Sequence, residues 1–187
     1  MDKEQEILAA ALKLFVEFGF HGTPTSKIAK EAGVANGTLF HYFKTKEDLI
    51  VAIYNRTKEK LNAYLAEQQN DEETLESRMK SIYSASLEWG LENQPQFHFI
   101  QQFHFSPHAA KVSEEDREKQ TRLHAGLMRQ ALENDIFKPL PSALIGSILG
   151  SHVYGTHQYL VKANLPEREK QKVIDETFEL LWTMITK

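Results

Sequence analysis

Residues 23–49 read TPTSKIAKEAGVANGTLFHYFKTKEDL, a pattern of helix, tight turn and helix. Ala29, Gly33 and Leu39 stand at the spacing that lets two short helices cross closely. Ala29 leaves room for the backbone of the second helix, and Gly33 is free to take the positive φ that ends the first helix and opens the turn. At about 100° per residue the second helix sorts its side chains into two arcs. Leu39, Phe40 and Phe43 fall on the arc expected to pack inward. Thr38, His41 and Tyr42 fall on the opposite arc, with Asn36 and Gly37 at its leading end. Hydroxyl, imidazole, phenol and amide groups on one outward face can reach base edges and phosphates in a major groove. Lys44 and Lys46 follow at once, placed for phosphates at the groove edge. An αα-hairpin with an ordinary solvated face has the same pattern, so the hairpin alone leaves both readings open.

The longer stretch GFHGTPTSKIAKEAGVANGTLFHYFKTKEDL, residues 19–49, resembles the N-terminal DNA-binding domain of TetR-type transcriptional repressors. The residues carrying the likeness are Phe18-Gly19-Phe20, Ile28-Ala29, Ala32-Gly33-Val34, Gly37-Thr38-Leu39-Phe40, Phe43 and Lys46-Glu47-Asp48-Leu49. The resemblance implies that Thr25, Ser26 and Lys27 touch phosphates or base edges from the first turn of helix 2. It likewise implies that Asn36, Gly37, Thr38, His41 and Tyr42 form the base-reading and phosphate-contacting group, and that Lys46 clamps the backbone. Two positions depart from the family's habit. Pro24 stands where Thr is frequent and suits the first helical position behind a Thr23 cap. Phe40 replaces a frequent Tyr, and without the hydroxyl it is assigned to packing.

A chain of 187 residues, 41% hydrophobic and 26% charged, is long enough for a real core. No apolar run reaches the length of a membrane span, and the start MDKEQEIL is too charged for a secretory signal, so a cytoplasmic protein with no membrane association is expected. With no cysteine there are no disulfides, thiolate metal sites or thiol nucleophiles. Residues 1–56 hold seven basic and seven acidic residues, while the remainder is acidic and gives the net −4. Nucleic-acid binding domains are usually basic, so a neutral one must gather its positive charge on one face.

Upstream of the hairpin, Ile7, Leu8, Ala11, Leu14, Phe15 and Phe18 share one arc of an amphipathic helix over 3–19, stopped by Gly19 and Gly22. Downstream, Thr45 and Asp48 form a capping box for a helix running from about Lys46 to Gln69 through Leu49, Ile53, Tyr54, Leu61 and Leu65. The polar segment QQNDEET, 68–74, reads as a linker. Beyond it the pattern is helical throughout, with helices expected at about 74–92, 96–105, 112–135, 140–163 and 166–186, punctuated by Pro95, Pro107, Pro139 and Pro166. Ser113 and Asp116 start the third of these.

Residues 83–108, YSASLEWGLENQPQFHFIQQFHFSPH, concentrate aromatics beside three histidines. Helices of this region enclose an effector pocket in the family this chain resembles, and Tyr83, Trp89, Phe99, Phe103, His104 and Tyr154 are the candidate ligand-binding residues. Aromatic walls with a few polar groups describe such a pocket, and they describe an ordinary core as well. His104 and His108 are four apart, but Pro107 interrupts the helix that would put them on one face, and no metal site is assigned. No Ser-His-Asp signature, phosphate-cradling glycine loop or His-Glu-x-x-His run is present, so no catalytic residue and no cofactor is assigned.

In 140–163 the small residues Ala143, Ser147, Gly150 and Ser151 share a stripe beside Leu144, Ile145, Ile148 and Leu149. The last helix offers Val173, Ile174, Phe178, Leu181, Met184 and Ile185. These two helices read as a surface for a four-helix bundle with a second copy, and equally as the closure of their own domain. The expected molecule is all-α. A three-helix helix-turn-helix DNA-binding domain, 1–48, is followed by a helical effector-binding and dimerisation domain, 49–187. As a homodimer it binds a pseudopalindromic operator in double-stranded DNA and is released by a small-molecule effector. Two rivals are a helical enzyme and a protein-interaction module that uses the aromatic, histidine-lined region without DNA binding; the neutral N-terminal charge favours the latter.

Overall fold

A computed structural model describes residues 2–68 and 74–187, so the expected linker falls largely outside the described residues. Among them the chain is helical: α1 (Lys3–Phe18), α2 (Thr25–Glu31), α3 (Asn36–Tyr42), α4 (Lys46–Glu67), α5 (Leu75–Glu92), α6 (Gln94–His104), a 3₁₀ turn (Pro107–Lys111), α7 (Glu114–Glu133), α8 (Ser142–Ala163) and α9 (Glu167–Ile185). The 3₁₀ turn was not expected. It follows from Pro107, which ends α6 and sits in the first turn of the new helix, with the Ser106 hydroxyl accepting from the His108 amide at 3.3 Å. None of the described helices is long and apolar enough to cross a membrane.

Residues divide by packing into two compact units, Met1–Lys60 with Asn93–Glu118, and Leu61–Glu92 with Lys119–Lys187. The chain passes between them inside α4, between α5 and α6, and inside α7.

The first unit is built around phenylalanines. Phe15 meets Phe20 edge-on at 5.4 Å between ring centres, Phe20 meets Phe99 at 5.5 Å, and Phe15 lies 6.3 Å from Phe99. Ile7, Leu14, Ile28, Leu39, Leu49 and Ile50 close around them, all buried. Each such side chain contributes roughly 2 kcal/mol on burial, and each edge-on ring pair about 1 kcal/mol more. Phe18, expected on the same arc, is 43% exposed instead. It is the last residue of α1, beyond the reach of the core, and the Lys27 ammonium rests 3.3 Å from its ring centre.

Asp116 accepts from the Ser113 hydroxyl at 2.8 Å, while its amide donates to that hydroxyl, capping α7. The same carboxylate accepts from Asn55 Nδ2 of α4 at 2.9 Å.

In the second unit α5, α8 and α9 pack on one another through Ile82, Leu87, Ile145, Leu160, Ile174, Phe178, Leu181 and Ile185. Ile174, Phe178, Leu181 and Ile185 therefore close their own domain rather than forming an outer face. Leu180 and Met184 remain exposed on α9, as do Leu144 and Tyr159 on α8. The end of α9 is fastened by Lys138, whose amide donates to the Ile185 carbonyl at 2.8 Å and whose ammonium donates to the carbonyls of Thr183 and Met184.

Candidate nucleic-acid interface

The hairpin is assembled by three local devices. At the end of α2 the Val34 amide donates to the Ala29 carbonyl at 2.9 Å and the Gly33 amide to that of Lys30 at 3.2 Å, with Gly33 at φ 66°. This pair of bonds turns the chain sharply and needs the left-handed conformation at Gly33. At the start of α4 the Thr45 amide donates to Asp48 Oδ2 and the Asp48 amide to Thr45 Oγ1, both at 3.0 Å, the reciprocal box expected. Before α2 the expectation fails. Pro24 is the capping residue itself and makes no side-chain cap, while Thr23 is fully buried and donates its hydroxyl to the carbonyls of Leu14 and Gly19. The carbonyls exposed by the ending of α1 compete for that hydroxyl and win it.

On α3, Leu39 is buried, as is Phe43 directly after it, while Asn36, Gly37, His41 and Tyr42 are exposed and Thr38 is half-buried. His41 and Tyr42 meet edge to face at 5.6 Å. Phe40 is 38% exposed, contrary to its assignment to packing. A helix of seven residues touches its domain through one narrow stripe, here Leu39 and Phe43, and Phe40 lies beside that stripe. On α2, Ser26 and Lys27 are exposed and Thr25 half-buried; Lys46 at the head of α4 is half-buried. All nine expected contact residues thus remain accessible.

Charge within the neutral N-terminal segment is sorted. Glu31 is held by Lys13 at 2.6 Å and Glu4 lies 3.6 Å from Arg56. Lys27, Lys30, Lys44 and Lys46 form no ion pair among the described residues, although the charge of Lys27 is felt at Glu31.

The six candidate ligand residues separate into two groups. Phe99 and Phe103 are core residues of the first unit, with Tyr54 stacked on Phe103 at 3.9 Å. His104, the last residue of α6, is exposed yet has its ring partly desolvated and meets Tyr54 edge-on at 5.8 Å. Burial, then the charge of Lys58, lower its pKa. In the second unit Tyr83 and Trp89 are buried and Tyr154 is half-buried. The Tyr83 hydroxyl lies 3.0 Å from each of Thr177 Oγ1, Thr156 Oγ1 and His152 Nδ1. Burial raises the Tyr83 pKa, against the hydrogen bonds it shares with the two threonines, and burial lowers that of His152. His152, Thr156 and Thr177 also line an open groove of about 810 Å³ on α8 and α9, with Leu144, Ile148, Gly155 and Tyr159. Among the described residues no three His, Asp or Glu side chains gather as a metal ion requires.

Lys58 escaped the reading of the sequence. It follows Tyr54 by one helical turn and precedes Leu61 by three residues, which puts a cation on the buried stripe of α4. That spacing was a usable signal.

Residues 7–53 match the sequence profile of the bacterial regulatory proteins of the tetR family. The chain is 41% identical over 69 residues to the fatty acid metabolism regulator protein of Bacillus subtilis (strain 168), covering 37% of this chain and 34% of that protein. It is 49% identical over 51 residues to the HTH-type transcriptional regulator RutR of Escherichia coli (strain K12), covering 27% of this chain and 24% of that one. These matches thus span about a third or less of the curated relatives' length. A crystal structure from Shewanella sp. PV-4, described as a TetR family transcription regulator, superposes over 100% of both chains with a TM-score of 0.88 at 30% identity. With likeness at that level running the whole length of the chain, and with the N-terminal segment matching the family's profile, the chain belongs to the TetR family of transcription regulators.

Proposed function

We propose that the protein is a one-component transcriptional repressor that binds operator DNA as a homodimer and is released by a small-molecule effector. The observation that carries this reading is the division of α3. Leu39 and Phe43 anchor it while Asn36, Gly37, His41 and Tyr42 face outward. In this reading α3 enters the major groove, with Thr38 beside those four residues as the base-reading group. Thr25, Ser26 and Lys27 fix the first turn of α2 on the backbone, and Lys46 clamps the phosphates beyond. Two copies are needed because a hairpin reader takes half-sites about one helical turn apart. The exposed residues of α8 and α9 supply the surface for pairing.

The effector acts by its difference in affinity for two dimer geometries, only one of which spaces the two α3 helices for adjacent grooves. DNA is found in the cytoplasm, which is the compartment this activity requires. Membership of a family of regulators sets the enzyme reading aside. An electrophoretic shift with DNA from the protein's own upstream region tests the proposal. A salt-dependent, sequence-selective complex is expected, and a protein that ignores that DNA at low salt would overturn it in favour of the interaction module.

A further inference from the structure

A groove separate from the one on α8 and α9 lies within the first packed unit. On α1, Gln5, Leu8, Ala9 and Leu12 stand at the spacing of one helical stripe. On α4, Ile53, Arg56, Thr57 and Lys60 repeat that spacing. Both stripes line a groove of about 340 Å³, and Gln96 of α6 completes the lining. Ala9 contributes only a methyl group at the middle of its stripe, which leaves the room. Leu8 and Ile53 are buried and supply an apolar floor, while the Thr57 hydroxyl is taken by the Ile53 carbonyl at 2.7 Å.

Around that floor stand two cations one turn apart, Arg56 and Lys60, and the side-chain amides of Gln5 and Gln96. No carboxylate is among the described lining residues. Lys60 forms no ion pair or hydrogen bond among the described residues, and neither do the two side-chain amides. Arg56 lies 3.6 Å from Glu4, an exposed pair that contributes little in water. Surface cations ordinarily need no counter-ion. These two border a concave apolar floor, where an anion is partly shielded from water and a charge-assisted bond gains strength.

We propose that this groove binds a small organic carboxylate, its head group between Arg56 and Lys60 and its apolar body on Leu8, Ala9 and Ile53. The Glu4 carboxylate beside Arg56 opposes a second negative charge, which selects a monoanion over a phosphate ester. This site goes beyond the effector reading and does not rest on it, since all its residues belong to one packed unit. Occupied, it ties α1 to α4, the helix that follows the hairpin.

The test uses the full-length protein with labelled Ala, Ile and Leu methyl groups, titrated at pH 8 and followed by NMR. The probes are 4-phenylbutyrate, 3-phenylpropyl phosphate and the neutral 4-phenylbutan-1-ol. Saturable shifts of the Leu8, Ala9 and Ile53 methyl signals are expected with the carboxylate, weaker binding with the phosphate ester, and no shifts with the alcohol. Arg56→Met combined with Lys60→Met should weaken carboxylate binding at least tenfold, and Ala9→Leu, which fills the groove, should abolish it. The double substitution leaves the apolar core untouched, so it decides the matter if Ala9→Leu disturbs α1. Unmoved methyl signals, equal shifts with the alcohol, or undiminished affinity in the double variant overturns the proposal. A phosphate ester that binds as tightly as the carboxylate overturns the choice of head group.

Discussion

At Lys58 the native fold holds a proton less tightly than the unfolded chain does. Its pKa is about 8 in place against the ordinary 10.5, so between those values the unfolded chain binds the extra proton and the native state does not. Stability attributable to this residue therefore rises as pH climbs through the window from about 8 to 10.5, and below it the penalty is constant. At pH 7 that penalty is on the order of 3 kcal/mol as an upper bound. Lys58→Met should accordingly raise the stability of the ligand-free protein at pH 7 by about 2 kcal/mol and flatten the rise above pH 8, read from urea unfolding at several pH values. On the proposed DNA face, Lys27 and Tyr42 should differ in what they contribute. Lys27→Ala should weaken all duplexes alike and lower the salt slope by about 1, whereas Tyr42→Ala should weaken the operator roughly tenfold and leave the slope nearly as it was. Binding titrations across salt concentrations check both.

Among elements, the hairpin depends on two glycines for different reasons. Gly33 sits at φ 66° with open space where a Cβ would go, so Gly33→Ala should cost only the left-handed backbone, about 1 kcal/mol. Gly22 is the opposite case. A Cβ there would stand 2.3 Å from the Phe18 carbonyl oxygen, and the loop must move to admit it. That movement withdraws the neighbouring Thr23 hydroxyl from Leu14 and Gly19, so Gly22→Ala should destabilise more than Gly33→Ala, by about 2 kcal/mol or more, in thermal or urea melts. Long helices were legible because periodicity and capping pairs such as Thr45 with Asp48 are local properties. Thr23 and Phe18 were misread because each lies at an element's end, where a neighbouring carbonyl or a nearby lysine decides its direction, and Phe40 because it flanks the narrow contact stripe of a short helix. The pocket residues were less legible still. Phe99 and Tyr83 share one aromatic-rich stretch of sequence but belong to different packed units, and composition carries no information about which neighbours a ring will meet.

At the scale of the molecule, Leu144, Tyr159, Leu180 and Met184 leave an exposed apolar surface on α8 and α9. If two copies pair there, Leu180→Lys combined with Met184→Lys should give a monomer in sedimentation, with operator affinity falling at least a hundredfold while each hairpin remains folded. A dimer that survives the double substitution places the pairing surface elsewhere. Asp116 bears on the same scale, since α4 and α7 each have residues in both packed units. Its single carboxylate grips Asn55 in the body of α4 and Ser113 at the head of α7. Those two helices are thereby yoked at the head of α7, as they are again where Asn62 of α4 donates to the Gln120 carbonyl at 2.9 Å: a shift of α4 tugs on the first turn of α7, and fraying of that turn slackens the hold on α4.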